Sequence, residues 1–456
     1  MKLVLLSGGS GKRLWPLSND ARSKQFLKVL NDENGNKVSM VQRVWNQLKD
    51  TGLVGDSIIA TSKGQVDMIY NQLGADIPIV IEPERRDTFP AIALASIYLY
   101  SIEECDLDEI VVVLPVDPFV DNHFFRKIKE MEKMLLESDA QLALLGVTPT
   151  FPSEKYGYIV PKEIINNDYF VVDSFKEKPN SEMAKELINN NALWNCGVFA
   201  FKLSYIVDLI QESNFTLDYE SLVKEYSGLP KNSFDYEVVE KADHIIALPY
   251  DGYWKDLGTW NTLTEEMATS IMGKGIISES TVNSHIINEL DIPITLLGLN
   301  NVVVAASPDG ILVTDKETSP KIKEYVGSLN DRPMYEERRW GWYRVLEYVK
   351  YEEGNEILTK RIGITAGKNL SYHVHYKRSE VWTIVKGEGI FVLNDNLQHV
   401  RSGEVLHIPL SSKHALKAIT DMEIIEVQTG SELIEEDVIR LLTHWDDIIE
   451  INKVNQ

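Results

Sequence analysis

The sequence predicts an α/β fold over residues 1–265, because short apolar runs alternate there with helix-like segments. The run at 110–114 is the clearest buried strand, and residues 88–101 and 124–137 have the composition and spacing of helices. Such alternation implies β-α-β units in a mostly parallel sheet, with ligands bound beyond the carboxyl ends of the strands. Further strands are predicted at 56–61, 79–81 and 140–145.

The pattern changes twice along the chain. Residues 266–330 hold short β segments at close spacing, at 276–277, 281–282, 285–287 and 302–306. Longer strand-like runs follow from 331, and residues 432–445 read as a closing helix. We therefore expect three units, 1–265, 266–330 and 331–456.

Charge and cysteine content exclude several classes of protein. The net charge of −23 argues against a nucleic-acid partner and against an anionic membrane surface. Cys105 and Cys196 lie too far apart to suggest a disulfide framework or a zinc site. The chain opens directly on a strand-like run, and no apolar run reaches the ~18 residues of a membrane span. We expect a cytoplasmic protein.

A glycine-rich loop follows the first predicted strand. Gly8, Gly9 and Gly11 fall within four residues, and two cations, Lys12 and Arg13, come directly after them. Glycine lets backbone N–H groups approach a ligand closely, and successive N–H groups form a nest for anions, of which phosphate is the usual one. No Gly-Lys-Ser/Thr closes the loop, so it is not the phosphate loop of the common NTPases. A plain tight turn is the alternative, but it would not require the cations.

A carboxylate is expected beside this loop. Asp117 comes directly after the strand at 110–114, and the glycine loop also lies just past a strand end, so both face the same crevice of the predicted sheet. Carboxylate and phosphate oxygens are the ligands that Mg²⁺ prefers. The residues therefore predict a phosphate site with a magnesium ion beside it.

The string from Gly8 to Lys24 resembles the signature of the sugar-1-phosphate nucleotidyltransferases, G-G-x-G-x-R-L-x-P-L followed by a lysine. The form with Trp15 and with Ser-Lys-Gln-Phe at 23–26 is similar to the mannose-1-phosphate guanylyltransferase branch. The resemblance implies a Rossmann-like (GT-A-like) mixed sheet, a short β-helix-like connector and a C-terminal cupin barrel. It also implies that GTP and mannose 1-phosphate give GDP-mannose and pyrophosphate with Mg²⁺, by in-line attack of the sugar phosphate. A homodimer is a further expectation.

Other strings resemble family motifs in the family's order. They are Glu-Pro-Glu-Arg-Arg-Asp-Thr at 82–88, Tyr-Gly-Tyr-Ile at 156–159, Glu-Lys-Pro at 177–179, Asn-Cys-Gly at 195–197, Asp-Tyr-Glu at 235–237 and Trp-Lys-Asp-Leu-Gly-Thr-Trp at 254–260. The resemblance implies catalytic roles for Arg13, Lys24, Asp117 and Asp256, the two aspartates holding Mg²⁺. It implies nucleotide binding by Leu6, Gly8, Gly9, Gly11, Lys12, Arg13, Glu82, Arg86, Asp87 and Thr88, and sugar-phosphate binding by Tyr156, Gly157, Glu177, Lys178, Asn195, Asp235 and Lys241.

The last unit carries a pattern of metal ligands. Gly367-x5-His373-x-His375-x4-Glu380-x6-Gly387 fits the first cupin motif, and Gly403-x5-Pro409-x4-His414 is close to the second. Alternate residues of a strand point the same way, so both histidines of the first motif face into the barrel. Together with Glu380 and His414 they predict a site for a divalent transition metal: Zn, Mn, Fe, Co or Ni. A metal-free cupin, kept for packing or dimerisation, is the alternative.

The same region resembles a type II phosphomannose isomerase, but with departures. His375, Arg378 and Glu380 match the family string, whereas Ala415 stands where the family has an arginine that would hold substrate phosphate or assist proton transfer. Isomerisation of mannose 6-phosphate is therefore left open, and a fully bifunctional isomerase/guanylyltransferase is one alternative.

Two further alternatives remain. Pro118 replaces a family histidine and Asp87 a family asparagine, which leaves another base or sugar 1-phosphate open. A non-catalytic nucleotide-sugar sensor would be expected to have lost metal or phosphate residues, and Arg13, Lys24 and both aspartates are present.

Overall fold

The computed structural model describes residues 1–9, 11–19, 21–164, 169–329, 331–434 and 437–454. Ser10 of the glycine loop, the junction residue Asn330 and two residues of the predicted closing helix, 435 and 436, lie outside this range. The first part of the chain forms thirteen of the described strands: β1 (Lys2–Ser7), β2 (Leu30–Asn31), β3 (Lys37–Val38), β4 (Ser57–Ser62), β5 (Ile79–Glu82), β6 (Ile110–Pro115), β7 (Pro118–Val120), β8 (Leu142–Val147), β9 (Tyr158–Ile164), β10 (Phe170–Lys176), β11 (Leu193–Lys202), β12 (Ile245–Tyr250) and β13 (Trp254–Asp256).

Nine of these strands make one mixed sheet in the order β5-β4-β1-β6-β11-β8-β12-β10-β9. β1 is parallel to β4 and β6, as the alternation predicts. The expectation of a mostly parallel sheet is only half right, because β11 runs antiparallel to both β6 and β8 and β10 runs antiparallel to β9. β9 and β10 follow each other with too few residues between them for a helical crossover, so they can pair only as antiparallel neighbours.

Helices cover both faces of this sheet and bury two apolar cores. They are α1 (Met40–Asp50), α2 (Val66–Leu73), α3 (Thr88–Ser101), α4 (Asn122–Leu136), α5 (Ser181–Asn189), α6 (Leu203–Glu212), α7 (Tyr219–Glu225) and α8 (Phe234–Glu237). A further helix, α9 (Trp260–Glu265), instead packs Trp260 and Leu263 into a core shared with the connector. α3 spans the predicted residues and is apolar almost all round, because it lies between the sheet and other helices. The first turn of α3, with Thr88 and Ala91, lines the cavity described below.

The connector stacks short parallel strands. β14 (Ile271–Met272), β16 (His285–Asn288) and β18 (Val302–Ser307) form one parallel ladder, and β15 (Gly275–Ile277) and β17 (Ile294–Leu296) form another. β19 (Gly310–Asp315) closes the first ladder in the antiparallel sense and α10 (Ile322–Val326) follows. This is the β-helix-like arrangement that the resemblance implied. The segment predicted at 281–282 makes only a bridge from Val282 to Asn300.

The C-terminal part of the chain forms β20 (Tyr335–Arg338), β21 (Gly341–Lys350), β22 (Glu356–Ile364), β23 (Tyr372–Val374), β24 (Arg378–Lys386), β25 (Glu388–Leu393), β26 (Asn396–Arg401), β27 (Val405–Ile408), β28 (His414–Ala418), β29 (Met422–Gly430), β30 (Ile439–Leu442) and α11 (Trp445–Val454). These strands make the two facing sheets of a barrel, with strand orders β20-β21-β22-β29-β24-β27 and β26-β25-β28-β23-β30.

The predicted helix at 432–445 is wrong. Its later residues form the edge strand β30, which completes the second sheet by pairing with β23, and the helix begins only at Trp445. Among the described residues no helix is both long and apolar enough to cross a bilayer.

Candidate active site

A cavity of about 400 Å³ opens at the carboxyl ends of β1 and β6. It lies where the parallel half of the sheet meets the antiparallel strand β11, the place at which open α/β sheets bind ligands. Thirteen residues singled out in the sequence line it: Leu6, Gly8, Gly9, Glu82, Arg86, Asp87, Thr88, Asp117, Tyr156, Gly157, Glu177, Asn195 and Asp235.

Two carboxylates share one ammonium at the edge of the cavity. The Nζ of Lys24 lies 2.7 Å from Oδ2 of Asp117 and 3.3 Å from Oδ1 of Asp256. A two-stranded sheet, β7 with β13, sets Asp256 opposite Pro118, the residue after Asp117. Gly258 has no side chain and so leaves room for the ion pair: a Cβ there would lie 3.0 Å from Asp256 and 3.2 Å from the Lys24 ammonium. The pairing of β7 with β13 thus brings together carboxylates that lie far apart in the sequence.

These charges shift one another's pKa. Burial by itself would lower the pKa of Lys24, but Asp117 and Asp256 more than offset it, so the ammonium stays charged. Burial likewise opposes ionisation of Asp256, yet Lys24 and then Arg13 hold its pKa below the usual value. The site therefore presents an ionised Asp256 and, across Lys24, the oxygens of Asp117, which with phosphate oxygens are the donors that a hard divalent cation takes.

A buried polar network joins the two limbs of the signature loop. The Gln65 amide donates to Oγ of Ser23 at 2.7 Å and to the Gly9 carbonyl at 3.3 Å, and accepts from Gln25 at 3.2 Å. Ser23 also donates to the Gly9 carbonyl at 2.8 Å. Gln65 is fully buried, so these bonds fix the loop beside Lys24.

The segment after β5 shapes the end of the cavity at the glycine loop. Glu82 is buried, and its Oε2 accepts a hydrogen bond of 2.8 Å from the Tyr226 hydroxyl. A Cβ at Gly8 would lie 3.0 Å from its Oε1, so the glycine loop passes directly over this carboxylate. Burial raises the pKa of Glu82 despite the Tyr226 bond. Glu82 thus places an acceptor against the glycine loop.

Arg86, Asp87 and Thr88 act on the local structure as well as lining the cavity. Arg86 donates to the Leu229 carbonyl at 2.9 and 3.2 Å. Asp87 has a φ of 71° and caps α3 through the Thr88 N–H. With a ψ of −171° this backbone lies outside the left-handed helical region, and the hydrogen bond of 2.8 Å from the Thr88 N–H to Oδ1 of Asp87 supports it.

Hydrogen-bonding groups converge at the opposite end. Nδ2 of Asn195 donates to Oδ1 of Asp235 at 2.6 Å, and the Asn195 N–H donates to the Gly157 carbonyl at 2.8 Å. A Cβ at Gly157 would lie 2.5 Å from Oε2 of Glu177, so the strand and this carboxylate are in direct contact. Burial, and then Glu177, raise the pKa of Asp235 to about 6. Such a group of amide and carboxylate oxygens suits sugar hydroxyls.

The structure directs some predicted residues elsewhere. Lys12 donates to the carbonyls of Gly327 (3.4 Å) and Leu329 (3.0 Å), and Lys241 pairs with Glu237 on the surface. Lys178 pairs with Glu177 and keeps more than half of its side chain exposed beside the cavity. Arg13 is exposed and reaches the site through its effect on Asp256. The backbone of Gly11 packs against that of Asn19 and Ser23 rather than lining the cavity.

Known proteins are similar to this chain over almost its whole length. A nucleotidyl transferase family model matches residues 2–271, and a model of the C-terminal part of mannose-6-phosphate isomerase matches 330–443. The mannose-1-phosphate guanylyltransferase of Salmonella muenchen is 30% identical over 478 aligned positions, covering 97% of this chain and 98% of that relative. The chain belongs to the mannose-1-phosphate guanylyltransferase family. The alginate biosynthesis protein AlgA of Pseudomonas syringae pv. tomato is 29% identical, with 96% of this chain and 95% of that protein covered.

One solved structure has the same fold as the larger part of this chain. A protein of Thermus thermophilus described as a mannose-1-phosphate geranyltransferase superposes with a TM-score of 0.61 at 26% identity, covering 72% of this chain and 99% of that one. The Rossmann-like α/β fold expected for the first part of the chain is confirmed.

Sequence reasoning missed residues of this site. Lys155 and Arg85 line the cavity, and Gln65 closes the loop behind it. Lys155 adjoins the string at 156–159 and Arg85 lies within the string at 82–88, so their places beside Tyr156 and Arg86 were a usable signal. Gln65 lies outside every matched string and carries no signal, because only the fold brings it to Gly9.

The C-terminal barrel of this chain brings the predicted metal ligands close together. Ligand nitrogens of His373, His375 and His414 lie within 4.8 Å of one another. Each Nδ1 meets a backbone carbonyl, at 2.7 Å for His373 and 3.0 Å for the other two, which leaves Nε2 as the lone-pair atom. Burial and the two other histidines lower the pKa of His373, so it is neutral.

The donor set of the barrel fits a metal. Glu380 lies 3.1 Å from Nε2 of His375 and 3.4 Å from that of His414, and is itself almost fully buried. Nε2 of His414 is buried and has no hydrogen-bond partner among the described residues, which is the state of a ligand atom aimed at a cation. Three imidazoles and one carboxylate form a set that divalent transition metals accept.

Proposed function

We propose that the chain transfers the guanylyl group of GTP to mannose 1-phosphate and releases pyrophosphate. One observation carries the proposal: a single cavity has the glycine loop and Asp117 at one end and Glu177, Asn195 and Asp235 at the other. At the first end Lys24 joins Asp117 to Asp256. Phosphates fit the first end and sugar hydroxyls the second. This arrangement would set a sugar phosphate beside a triphosphate.

The residues have distinct roles in this reaction. A phosphate oxygen of mannose 1-phosphate attacks the α-phosphorus of GTP, and the bond to the β-phosphate oxygen breaks, so no protein nucleophile is required. Lys24 and Arg13 offset the negative charge on the pyrophosphate as it leaves. Asp117 and Asp256 would hold Mg²⁺, which when bound supplies charge neutralisation to the phosphates.

At the sugar end the chain's own groups orient the acceptor. Glu177, Asn195 and Asp235 accept from or donate to mannose hydroxyls, and Tyr156 closes one side of the cavity. Lys178 lies beside Glu177 and its exposed ammonium is within reach of the sugar phosphate.

A panel of nucleoside triphosphates and sugar 1-phosphates, with pyrophosphate detection, tests the proposal. GTP with mannose 1-phosphate and Mg²⁺ should give the highest kcat/KM, and product analysis should give GDP-mannose. Faster turnover with another base or another sugar would overturn the assignment of substrate and retain that of nucleotidyl transfer. A lack of pyrophosphate release with every pair would overturn both.

A second activity has an observation of its own. His373, His375 and Glu380 open on a cavity of about 940 Å³ between the barrel and α2, with Lys63, Lys368 and Arg440 on its walls. We propose that the barrel holds a divalent transition metal and binds a hexose 6-phosphate. Arg440, paired in register with His373, stands near the ligands and supplies a cation that Ala415 does not.

Supplying mannose 6-phosphate and measuring fructose 6-phosphate, with and without Zn²⁺, Mn²⁺, Fe²⁺, Co²⁺ or Ni²⁺, tests this second proposal. Metal-dependent formation of fructose 6-phosphate would support isomerisation. Metal binding without turnover would reduce the barrel to a binding domain.

A further inference from the structure

The turn behind the glycine loop, formed by Asn19 and residues 21–23 and called here the backing turn, separates the loop from Lys24. Its backbone closes on itself, with the Asn19 N–H donating to the Arg22 carbonyl at 2.9 Å. A Cβ at Gly11 would lie 2.6 Å from the Asn19 carbonyl oxygen and 2.8 Å from Cα of Ser23. The backing turn therefore touches the glycine loop directly, and any movement of the turn moves both the loop and Lys24.

The connector holds this turn through an ion pair between the buried Arg22 and the half-buried Glu289. Both terminal nitrogens of Arg22 donate to Glu289, each at 2.9 Å, in the fork geometry that matches a carboxylate. Arg22 is only 7% exposed, and its guanidinium carbon lies 5.0 Å from the centre of the Tyr335 ring. Glu289 follows β16 of the connector and Tyr335 begins the first strand of the barrel.

A second contact from the connector holds the other end of the turn. Nδ2 of Asn19 donates to Oδ2 of Asp309 at 2.7 Å. The other oxygen of Asp309 accepts from the Met334 N–H at 2.6 Å. Asp309 lies between β18 and β19, so the connector also ties the backing turn to the segment that leads into the barrel.

We infer that Glu289 and Asp309 are positioning residues for guanylyl transfer: they hold the backing turn so that Lys24 stays between Asp117 and Asp256. The inference rests on the proposed function. Lys24 comes two residues after Arg22, and its 2.7 Å contact with Asp117 leaves little tolerance. A displacement of ~1 Å at a reacting group can cost ~10²-fold in rate.

Glu289→Gln tests the inference in the full chain. Glutamine keeps the size of the side chain but offers one acceptor where the fork needs two, and it takes from the buried Arg22 the carboxylate that both of its terminal nitrogens bind. We expect kcat/KM to fall by ~10- to 100-fold, mainly through kcat, at a temperature where circular dichroism shows a folded protein. The matched control is Glu279→Gln, an exposed glutamate of the same connector, whose kcat/KM should stay within twofold of the wild type.

A double variant separates positioning from stability. Arg22→Met with Glu289→Leu removes both charges, which is often neutral for stability, whereas removing one partner is not. Recovery of the Tm with kcat/KM still low supports positioning. Recovery of both quantities would overturn it, because the ion pair would then serve stability alone.

The Lys24→Ala background shows whether the effect passes through Lys24. In that background Glu289→Gln should lower kcat/KM by less than threefold, because the Lys24 ammonium that Glu289 positions is already absent. An unchanged full cost in that background would overturn the inference. The wild type measured in the same assay distinguishes this failure from the failure of the proposed function, in which it too would release no pyrophosphate.

Discussion

Gly157→Ala is the sharpest test of how the sugar end is built. The added Cβ would lie 2.5 Å from Oε2 of Glu177 and 2.5 Å from Cζ of Phe175. Non-bonded heavy atoms rest at ~3.5 Å, so both groups must move by ~1 Å or the strand that carries the new Cβ must shift. The ring of Phe175 is buried in the core, whereas Glu177 faces the cavity, so we expect the larger displacement at Glu177.

The displacement predicts the size of the effect. A group misplaced by ~1 Å costs ~10²-fold, or ~2.7 kcal/mol of transition-state stabilisation. Because Glu177 lies at the sugar end, we expect the loss in kcat/KM for mannose 1-phosphate, mostly as a raised KM. The KM for GTP should stay within twofold, since the glycine loop and Glu82 are untouched.

Steady-state pyrophosphate release, with each substrate varied at saturating levels of the other, measures both constants. Gly55→Ala is the matched control, because among the described residues no atom lies within 4 Å of the Cβ it would add. A Gly157→Ala enzyme with wild-type kcat/KM for mannose 1-phosphate would refute the placement of Glu177 at the sugar. A selective rise in the KM for GTP would refute the assignment of the two ends.

Four further predictions follow from the same contacts. Since the pKa of Asp235 is about 6, its carboxylate takes up a proton as the pH falls, and the KM for mannose 1-phosphate should rise ~4-fold from pH 7.5 to 5.5, a rise that Asp235→Asn should lack. Asp117→Ala should abolish pyrophosphate release while circular dichroism stays native, and near-native turnover would remove Asp117 from the metal site. Gln65→Met should lower kcat/KM ~10-fold or more, because the bonds to Ser23 and Gly9 are lost from a buried site, and wild-type kinetics would contradict this. His414→Ala should eliminate bound transition metal in a metal analysis yet leave guanylyl transfer unchanged, and retained stoichiometric metal would count against the barrel site.

The sign of the Asp235 effect extends to stability. A carboxyl whose pKa is raised on folding destabilises the native state when it is ionised. This penalty is fully present above the folded pKa of about 6 and disappears as the pH falls to the usual pKa of an aspartate. Asp235→Asn should therefore raise the Tm at pH 7.5 and lose that advantage near pH ~4.

Local patterns predicted the parts of the fold that local interactions determine. The α3 helix was predicted residue for residue, because its apolar run and its Asp87 cap are adjacent in the chain. The strand β6 was predicted within one residue for the same reason. The prediction of a helix at 432–445 failed because β30 pairs with β23, and this tertiary contact outweighs the local spacing of apolar residues. No pattern within 432–445 indicates that pairing.

The same limit applies to the site. Asp117 and Asp256 could be predicted to meet only through family strings, since the pairing of β7 with β13 is a tertiary fact. Lys12 adjoins the glycine loop in sequence, yet its ammonium is taken by carbonyls near α10. Adjacency along the chain thus indicated which loop binds phosphate, but not which of its cations faces the ligand. The roles assigned to these residues stay predictions until the variants are measured.

Under the proposed function, Lys24 reduces the repulsion that a triphosphate meets in a chain of net charge −23. Asp117 and Asp256 alone would repel both each other and the nucleotide. The ammonium between them offsets one charge and holds the two carboxylates in place before any ligand arrives, so less reorganisation remains to be done in the transition state. This explains why the surrounding contacts converge on the segment that carries Lys24: Gly258 leaves room for its ammonium, Gln65 fixes the loop beside it, and the connector holds the turn before it. The acidic surface then sets only the long-range field, while binding depends on a few local charges whose positions the fold controls.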